Sequence, residues 1–421
     1  MHVLTAIIGA GVLSLPAAMV PLGYAGGSIC FLVFGLITVY TAHLLADCYC
    51  VNGLRQRTYT ELVDTVFGHK GRIAVAWIQL VNLVLTAWPY QILGAKTMAA
   101  LAKEACGALG RESCPADKYF IMCLLFGAVQ LPFSMVPSLE HLEWASVVGT
   151  VASVIYSAAA FGLSASKFGK GPVLGSAWGA ASADPWQKLS AIGTTLFSLS
   201  FAYILVEIQD TLHGDGTPRG PVRPMKRACN WAIGSSLAVY YAVACSGYAV
   251  FGDTDANVLG RRMPDDILTG FDSPRWTILL ANVAVLVHML PAYQVWSQPF
   301  FEFFEHWRDR RAELAGRDPC GLSPMGFRVL LRTGYVVAGT LVTCAIPSLS
   351  IILGLAGALA FWPATVLFPI EAYLRVFRPR PAVKASLRAL NVLCALLTVA
   401  VAVSGVQQIV TQASQFKIFR E

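Results

Sequence analysis

Four ionisable side chains lie in or beside long apolar stretches of the sequence, and these are the residues most able to do chemistry. His2 begins an uncharged run, and His288 lies in the middle of another. Glu207 and Asp210 follow a third run, at positions i and i+3 of one helical face. A histidine titrates near neutral pH and could relay protons, while a carboxyl group could hold a proton or gate a pathway.

Each of these residues also has a structural interpretation. His288 could be a hydrogen-bonded histidine of a protein core, and His2 could be an interfacial residue. Glu207 or Asp210 could form an ion pair with an arginine. Whether each residue is functional or structural depends on what surrounds it. A charge inside a bilayer costs ~2.5–3.5 kcal/mol even on mild insertion scales, so each of these residues requires an explanation.

The composition is that of a membrane protein. Of 421 residues, 56% are hydrophobic and only 13% charged, with a mean hydropathy of +0.60. A soluble domain carries about 25% charged residues. The apolar runs are continuous rather than alternating, which excludes barrel strands and predicts an all-α integral membrane protein. The basic residues lie in short loops, so we expect no nucleic-acid partner.

Turn signals divide these runs into eleven predicted transmembrane helices. Two long runs are split at Pro21–Tyr24 and at Pro347–Ser350. A bilayer core requires about 20 apolar residues per helix. The predicted helices are 2–20, 24–47, 72–102, 118–136, 141–165, 187–212, 228–251, 275–303, 327–346, 350–373 and 386–411.

The basic residues also predict the orientation. With the N-terminus in the cytosol, the cytosolic loops hold 18 Lys and Arg and the outer segments hold 11, as the positive-inside rule prefers. An odd number of helices then places the C-terminus outside. The sequence begins directly at the first apolar run, and a missing N-terminal tail is one interpretation of that start.

The cysteines indicate at most one disulfide. Cys106 and Cys114 share a predicted outer loop, where they would be either a disulfide or two free thiols in an oxidising exterior. No Cys–His spacing predicts a metal site, and nothing in the sequence predicts a cofactor.

Two predicted helices contain features that break helices near their centres. In the first, Gly9 and Gly11 flank Ala10, and each glycine costs about 1 kcal/mol in a helix interior. In the sixth, the break falls at 198–201. These helices are the same element of two five-helix halves, 1–165 and 187–373, followed by an extra helix. Matching interruptions indicate a secondary transporter with inverted repeats, whereas small residues alone could also mean close helix packing.

The ends of half-helices favour a zwitterionic substrate. A half-helix N-terminus suits a carboxylate, and the carbonyl groups of a half-helix C-terminus suit an ammonium group. An amino acid carries both. Tyr90 and Asn282, on the third and eighth helices, would shape the pocket for its side chain. The predicted substrate-binding residues are Gly9, Ala10, Gly11, Ser14, Tyr90, Ser198, Leu199, Ser200, Phe201 and Asn282.

Several blocks of sequence resemble the plant amino acid permeases of the amino acid/auxin permease family. They occur in order over nearly the whole chain, and together they are highly specific. The blocks are His2–Leu15, Glu207–Leu212, Gly247–Asp253, His288, Ala292–Val295, Gln298–Pro299, Phe361–Pro363 and Phe368–Glu371.

The resemblance implies a leucine-transporter-like fold, a five-plus-five inverted repeat with broken helices one and six, and proton-coupled amino acid uptake. It also implies a cytosolic N-terminus. We expect the protein to lie in the plasma membrane, and an internal membrane is the alternative. Leu199 and Phe201 stand where the family typically has tyrosines. Two hydroxyl groups are therefore missing, which suggests a more apolar pocket and neutral amino acids.

We therefore predict a proton-driven amino acid symporter working by alternating access, with His2, Glu207, Asp210 and His288 as coupling or gating residues. Sodium coupling and a non-transporting amino acid sensor are the alternatives. An embedded enzyme is disfavoured because the sequence has no nucleophile motif, zinc-protease motif or phosphate loop. A channel would require a repeated selectivity element, which is not visible.

Overall fold

The computed structural model describes residues 9–110, 114, 118–136, 143–168, 170–171, 174–212, 217, 219–253, 259–315 and 321–412. These residues are mainly helical, with one short hairpin of strands β1 (Cys50–Val51) and β2 (Leu54–Arg55). The α-helices are α1 (Leu15–Asp47), α2 (Tyr59–Ala108), α3 (Tyr119–Ser134), α4 (Glu143–Ala165), α5 (Pro185–Ser198), α6 (Leu205–Asp210), α7 (Val222–Phe251), α8 (Arg275–Ala315), α9 (Pro324–Ala345), α10 (Leu349–Ala360), α11 (Phe368–Phe377) and α12 (Pro381–Gln412).

Three 3₁₀ segments and one π-helical segment complete the helical elements. The 3₁₀ segments are Ala10–Ser14, Ala202–Ile204 and Ile267–Gly270, and the π-helical segment is Phe361–Leu367. Helix starts follow ordinary capping chemistry. Asp184 precedes Pro185 at the start of α5, and its carboxylate accepts a hydrogen bond from the Gln187 N–H at 2.7 Å.

The long apolar helices make this an integral membrane protein. Within the described residues, nine helical segments are long and apolar enough to cross a membrane, and Tyr119–Ser134 is a shorter apolar helix. The predicted count of eleven is not established by these segments. One of them, Gly11–Asp47, contains the second part of the first predicted helix and all of the second, and its backbone leaves the helical conformation at Gly23, within the predicted turn.

Several predicted boundaries were wrong. Helix α2 begins at Tyr59 and ends at Ala108, but its backbone leaves the helical conformation at Gly68, so its second part begins close to the predicted residue 72. Helix α8 continues to Ala315 instead of ending at residue 303. Helix α12 begins at Pro381, five residues before the predicted 386. The helical residues outside the predicted bounds include charged residues, which interrupt the apolar pattern. Hydropathy alone therefore predicts helices that are too short.

The break inside α1 is stabilised by backbone pairing. Gly23 has φ 71°, a left-handed value that favours glycine. The N–H groups of Tyr24 and Ala25, released from the helix ladder, donate to the carbonyl groups of Ser176 and Ala177 at 3.1 and 2.7 Å. Since an unpaired backbone group costs several kcal/mol in a bilayer, this loop is what allows the helix to open there.

The chain divides into two compact units. The first unit comprises 1–82, 160–270 and 350–410, and the second unit comprises 83–159, 271–349 and 411–421. Each unit draws on both predicted sequence halves. The inverted-repeat assignment stays a prediction.

In the first unit, α5 and α10 pack backbone against backbone. A Cβ atom on Gly193 would lie 2.5 Å from the carbonyl oxygen of Gly354, and one on Gly357 would lie 2.6 Å from the amide nitrogen of Phe197. Glycines allow this approach, which is how closely packed membrane helices gain dispersion energy. The hydrophobic core next to this contact includes Leu196 and Phe361.

In the second unit, α3 packs with α8 and α9. Arg332 of α9 is fully buried, and its Nη1 donates to the carbonyl oxygen of Ser134, the last residue of α3, at 2.5 Å. Its Nε lies 2.8 Å from Glu305, so the buried cation is paired. Cys106 and Cys114 form a disulfide, with their Cα atoms 6.0 Å apart.

Candidate functional site

In the first predicted helix, the described backbone at Gly9 and Gly11 is not α-helical. Gly9 has extended backbone (φ −139°, ψ −154°), and Ala10–Ser14 forms a 3₁₀ segment before α1 begins at Leu15. The Ser14 hydroxyl donates to the carbonyl oxygen of Gly11 at 2.9 Å. His2 lies outside the described residues.

The sixth helix is also open where predicted. Helix α5 ends at Ser198, and helical structure resumes only at Ala202. Leu199 and Phe201 between them are buried. At the end of α5, the N–H groups of Leu199 and Ser200 donate to the carbonyl oxygens of Leu196 and Phe197. Two hydroxyl groups also donate to carbonyls one turn back, Ser198 Oγ to Thr194 O at 3.1 Å and Ser200 Oγ to Leu196 O at 2.9 Å.

The two open segments meet within the first unit. A Cβ atom on Gly11 would lie 2.8 Å from Ser198 Oγ and 3.5 Å from Phe197 Cδ1. The structure therefore brings together the residues that the sequence separates by nearly two hundred positions. That they bind substrate stays a prediction.

The contacts of the two predicted carboxylates are with tyrosines. Glu207 Oε1 accepts a hydrogen bond from the backbone N–H of Tyr59 at 3.1 Å. Asp210 Oδ1 accepts one from the Tyr49 hydroxyl at 2.6 Å. Their described partners thus differ from the arginine that the sequence offers as the alternative.

Tyr59 is a residue that the sequence analysis missed. It is fully buried as the first residue of α2, and its hydroxyl donates to the carbonyl oxygen of Ala364 in the π-helical segment at 2.8 Å. Tyr59 is therefore hydrogen-bonded both to Glu207 and to the tenth predicted helix, 350–373. The available signal was a helix-start pattern, in which Thr58 Oγ1 accepts from the Glu61 N–H at 3.0 Å.

Tyr49, which binds Asp210, lies just beyond the end of the first membrane segment. Burial raises the pKa of its phenol to about 12, and the hydrogen bond to Asp210 and the charge of that carboxylate act in the same direction. The phenol therefore remains a hydrogen-bond donor across the physiological pH range.

His288, in the second unit, is buried in a polar and aromatic environment. Its Nδ1 lies 2.7 Å from the carbonyl oxygen of Gly149 and 2.9 Å from Ser153 Oγ. A carbonyl oxygen can only accept, so Nδ1 carries the proton and Nε2 holds the basic lone pair. Tyr90 stacks on the ring at 6.5 Å between centroids, and Tyr156 meets it edge-on at 5.9 Å. This geometry is that of a hydrogen-bonded core histidine that still has one basic nitrogen.

Asn282, also in the second unit, is buried, and only one end of its side-chain amide has a hydrogen-bond partner among the described residues. Its Nδ2 donates to the carbonyl oxygen of Ile278 at 2.9 Å, while its Oδ1 has no hydrogen-bond partner among the described residues. A buried amide oxygen in this state could accept a hydrogen bond from a polar ligand. Its assignment to a substrate pocket, like that of Tyr90, stays a prediction.

Comparison with known sequences identifies the family. The sequence profile described as "transmembrane amino acid transporter protein" matches residues 1–411. The chain belongs to this family. It is similar to amino acid permease 8 of Arabidopsis thaliana, with 34% identity over 100% of this chain and 92% of the relative. Amino acid permease 3 of the same plant is 31% identical over 100% of this chain and 91% of its own length.

A more distant member extends the comparison. Lysine histidine transporter-like 1 of Arabidopsis thaliana is 26% identical over 99% of this chain and 89% of its own length. The resemblance to plant amino acid permeases seen in the sequence motifs is therefore confirmed. Family members are transmembrane transporters, which agrees with the apolar helices of this chain.

Proposed function

We propose that this protein is a proton-driven symporter that carries amino acids across a membrane by alternating access. Membership of the amino acid transporter family and full-length similarity to amino acid permeases support the substrate class. The observation that carries the proposal is the contact between the two open helix segments at Gly11 and Ser198. Such paired openings suit a ligand with two opposite charges.

The opposite ends of the substrate would be held by opposite helix ends. The 3₁₀ segment beginning at Ala10 presents the N-terminal end of a helix, which favours the carboxylate. Helix α5 presents its C-terminal end at Ser198, which favours the ammonium group. Gly9 and Gly11 would offer backbone groups to the substrate, and the apolar side chains of Leu199 and Phe201 favour a neutral amino acid. Tyr90 and Asn282 would shape the side-chain pocket.

The coupling proton would be carried by the ionisable residues within the membrane segments. Glu207 is the first choice because it contacts the N-terminus of α2, and Oε2 of its carboxyl group is buried with no partner among the described residues. The basic Nε2 of His288 is the second. His2 and Asp210 would act as gating residues. Sodium is the alternative coupling ion.

Topology forms part of the same proposal. We infer eleven transmembrane helices in a leucine-transporter-like five-plus-five repeat, with the break at Gly23 separating the first two. The N-terminus would be cytosolic and the C-terminus outside, in the plasma membrane. The distribution of basic residues supports this orientation.

Recording currents from oocytes tests the proposal. The chain would be expressed alone, a panel of amino acids applied at acidic and at neutral pH, and current measured with and without sodium. We expect an inward current that grows at acidic pH and persists without sodium. A current that requires sodium would reject proton coupling, and amino acid binding without any accumulation would instead indicate a sensor.

Two variants examine the site. Gly11→Val should abolish uptake while leaving the amount of protein at the cell surface unchanged, since its side chain would enter the contact with Ser198. Glu207→Gln should remove the acid stimulation but retain exchange of labelled for unlabelled amino acid. Normal uptake by the first variant would reject the open-segment site, and normal acid stimulation in the second would reject Glu207 as the proton carrier.

A further inference from the structure

The first unit contains a second place that could bind a small polar molecule. It is a cavity of about 710 Å³ next to the outer ends of two membrane helices, as the proposed orientation places them. Small-molecule sites are typically about 300–1,000 Å³. The walls come from the Ala17–Pro21 turn of α1, the beginning of α5, the segment 262–265 and the start of α10.

Charged groups of both signs line this cavity. Asp253, Arg262 and Asp265 all contribute to its wall. Two of them are held by the surrounding structure: Asp265 Oδ1 accepts from Ser350 Oγ at 3.1 Å, and Asp253 accepts from the Ser176 N–H at 3.1 Å. Two carboxylates and one guanidinium favour a ligand with an ammonium group and a carboxylate, and disfavour one with excess negative charge.

A line of hydroxyl groups connects the cavity to the open segments. Ser190 and Thr194 of α5 line the cavity, and Ser198 is one turn further along the same helical face. All three are buried, and Ser198 is the residue that faces Gly11. Thr194 also donates to the carbonyl oxygen of Ser350 at 3.3 Å, so the line belongs to the cavity wall.

We propose that this cavity is an outer binding site for α-amino acids of neutral or positive net charge. The Arg262 guanidinium meets the ligand's carboxylate, and the carboxylates of Asp253 and Asp265 meet its ammonium group. The site receives the amino acid before it reaches the segments at Gly11 and Ser198. This inference rests on the proposed transport function, which it extends to where and in what charge state the substrate first binds.

Equilibrium dialysis tests it with purified protein in lipid nanodiscs. Tritiated alanine is the probe, and unlabelled lysine and glutamate are competitors. The Gly11→Val background removes the contribution of the open-segment site. Within it, Asp265→Asn and Arg262→Gln change the cavity wall, while Arg261→Gln is the matched control, because this neighbouring exposed arginine does not line the cavity.

We expect alanine to bind the Gly11→Val protein, with lysine competing better than glutamate. Arg262→Gln should raise the Kd for alanine about two- to fivefold, the effect of losing a solvent-accessible ion pair. Arg261→Gln should leave it unchanged. Asp265→Asn should shift the competition towards glutamate, and Arg262→Gln should shift it towards lysine. A merely structural role would not move this preference in opposite directions.

Equal Kd values for the Arg262→Gln and Arg261→Gln proteins, or no alanine binding by Gly11→Val protein that still unfolds cooperatively on heating, would overturn the cavity assignment. The outcome is separable from that of the transport proposal. Wild-type protein that accumulates amino acid but lacks cavity binding would leave transport standing and reject the outer site. Protein that binds alanine in the cavity without pH-dependent flux would retain the outer site and reject the symporter.

Discussion

The contact between Gly11 and Ser198 allows a double-mutant test of how the open helices fit together. In the Gly11→Ala protein, the new methyl group would lie 2.8 Å from Ser198 Oγ. That is too close for a stable contact, so one of the two segments must move. The Ser198 hydroxyl could rotate away, but it would then lose its hydrogen bond to the carbonyl oxygen of Thr194.

The structure sets the size of the effect. Losing a buried hydrogen bond costs about 1 kcal/mol, and forcing a methyl group into packed surroundings costs about 1–3 kcal/mol. Gly11→Ala should therefore destabilise the protein by about 1–3 kcal/mol. Ser198→Ala removes the Oγ atom and leaves its Cβ atom 3.7 Å from the new methyl, an ordinary contact. The double variant should consequently be about as stable as Ser198→Ala alone.

The assay is thermal unfolding of all four proteins, purified in one detergent, combined with uptake measured at equal surface expression. The expected signature is a favourable coupling energy of about 1–3 kcal/mol, with the double variant recovering the stability that Gly11→Ala loses. Additive losses in the double variant would refute the reasoning, because they would mean that the two residues do not share the contact.

Three further predictions follow from other contacts. Gly357→Ala should lower the free energy of unfolding by about 3 kcal/mol or more, a larger loss than for Gly11→Ala, because backbone atoms of α5 occupy the position of the new methyl group. Gly334→Ala is the control, since nothing lies within 4 Å of its new methyl group. Equal melting temperatures for these two variants would contradict the packing argument. Gly23→Ala should lower the yield of folded protein, since φ 71° with ψ 179° is a backbone conformation essentially restricted to glycine and costs an L-residue about 1–3 kcal/mol even before overlap is counted. Normal yield and melting temperature would reject this. Tyr49→Phe should lower the melting temperature by the same amount from about pH 6 to about pH 9, since a phenol whose folded pKa is raised to about 12 loses its stabilising effect only as the pH rises through about 10 to 12. A difference that changes within the lower range would contradict the assignment.

The parts of this fold that can be predicted from the sequence are those determined by local composition. Uninterrupted apolar runs predicted a helical membrane protein, and the segment 198–201 marked an interruption that the structure contains. The described backbone at Gly9 and Gly11 is likewise not α-helical. Helix ends were less readable. Tyr59 to Phe67 is helical although Glu61 and Asp64 interrupt its apolar pattern, because capping and tertiary contacts outweigh hydropathy there.

Apart from the proximity of Gly11 and Ser198, contacts between distant segments could not be predicted from the sequence. The bond from the Tyr59 N–H to Glu207 joins residues 148 positions apart, and that from the Tyr59 hydroxyl to Ala364 spans 305. Nothing local to either partner specifies the other. A carboxylate in an apolar run indicates that some partner must exist, since burying it unpaired is costly, but only the packed structure identifies which one.

The breaks in these helices differ in what replaces the lost helix bonds, and the difference bears on which of them can serve a ligand. At Gly23, other backbone groups supply the replacement, and the loop that provides them is fixed by its own conformation. At the end of α5, the next two backbone N–H groups turn back to nearby carbonyl oxygens, and the hydroxyl groups of Ser198 and Ser200 add further bonds to carbonyls. A hydroxyl group can rotate and exchange one partner for another without moving the backbone, whereas a backbone pair cannot. The hydroxyl groups of Ser198 and Ser200 can therefore exchange a carbonyl partner for a polar ligand, which supports the proposed site, whereas the bonds at Gly23 join backbone groups.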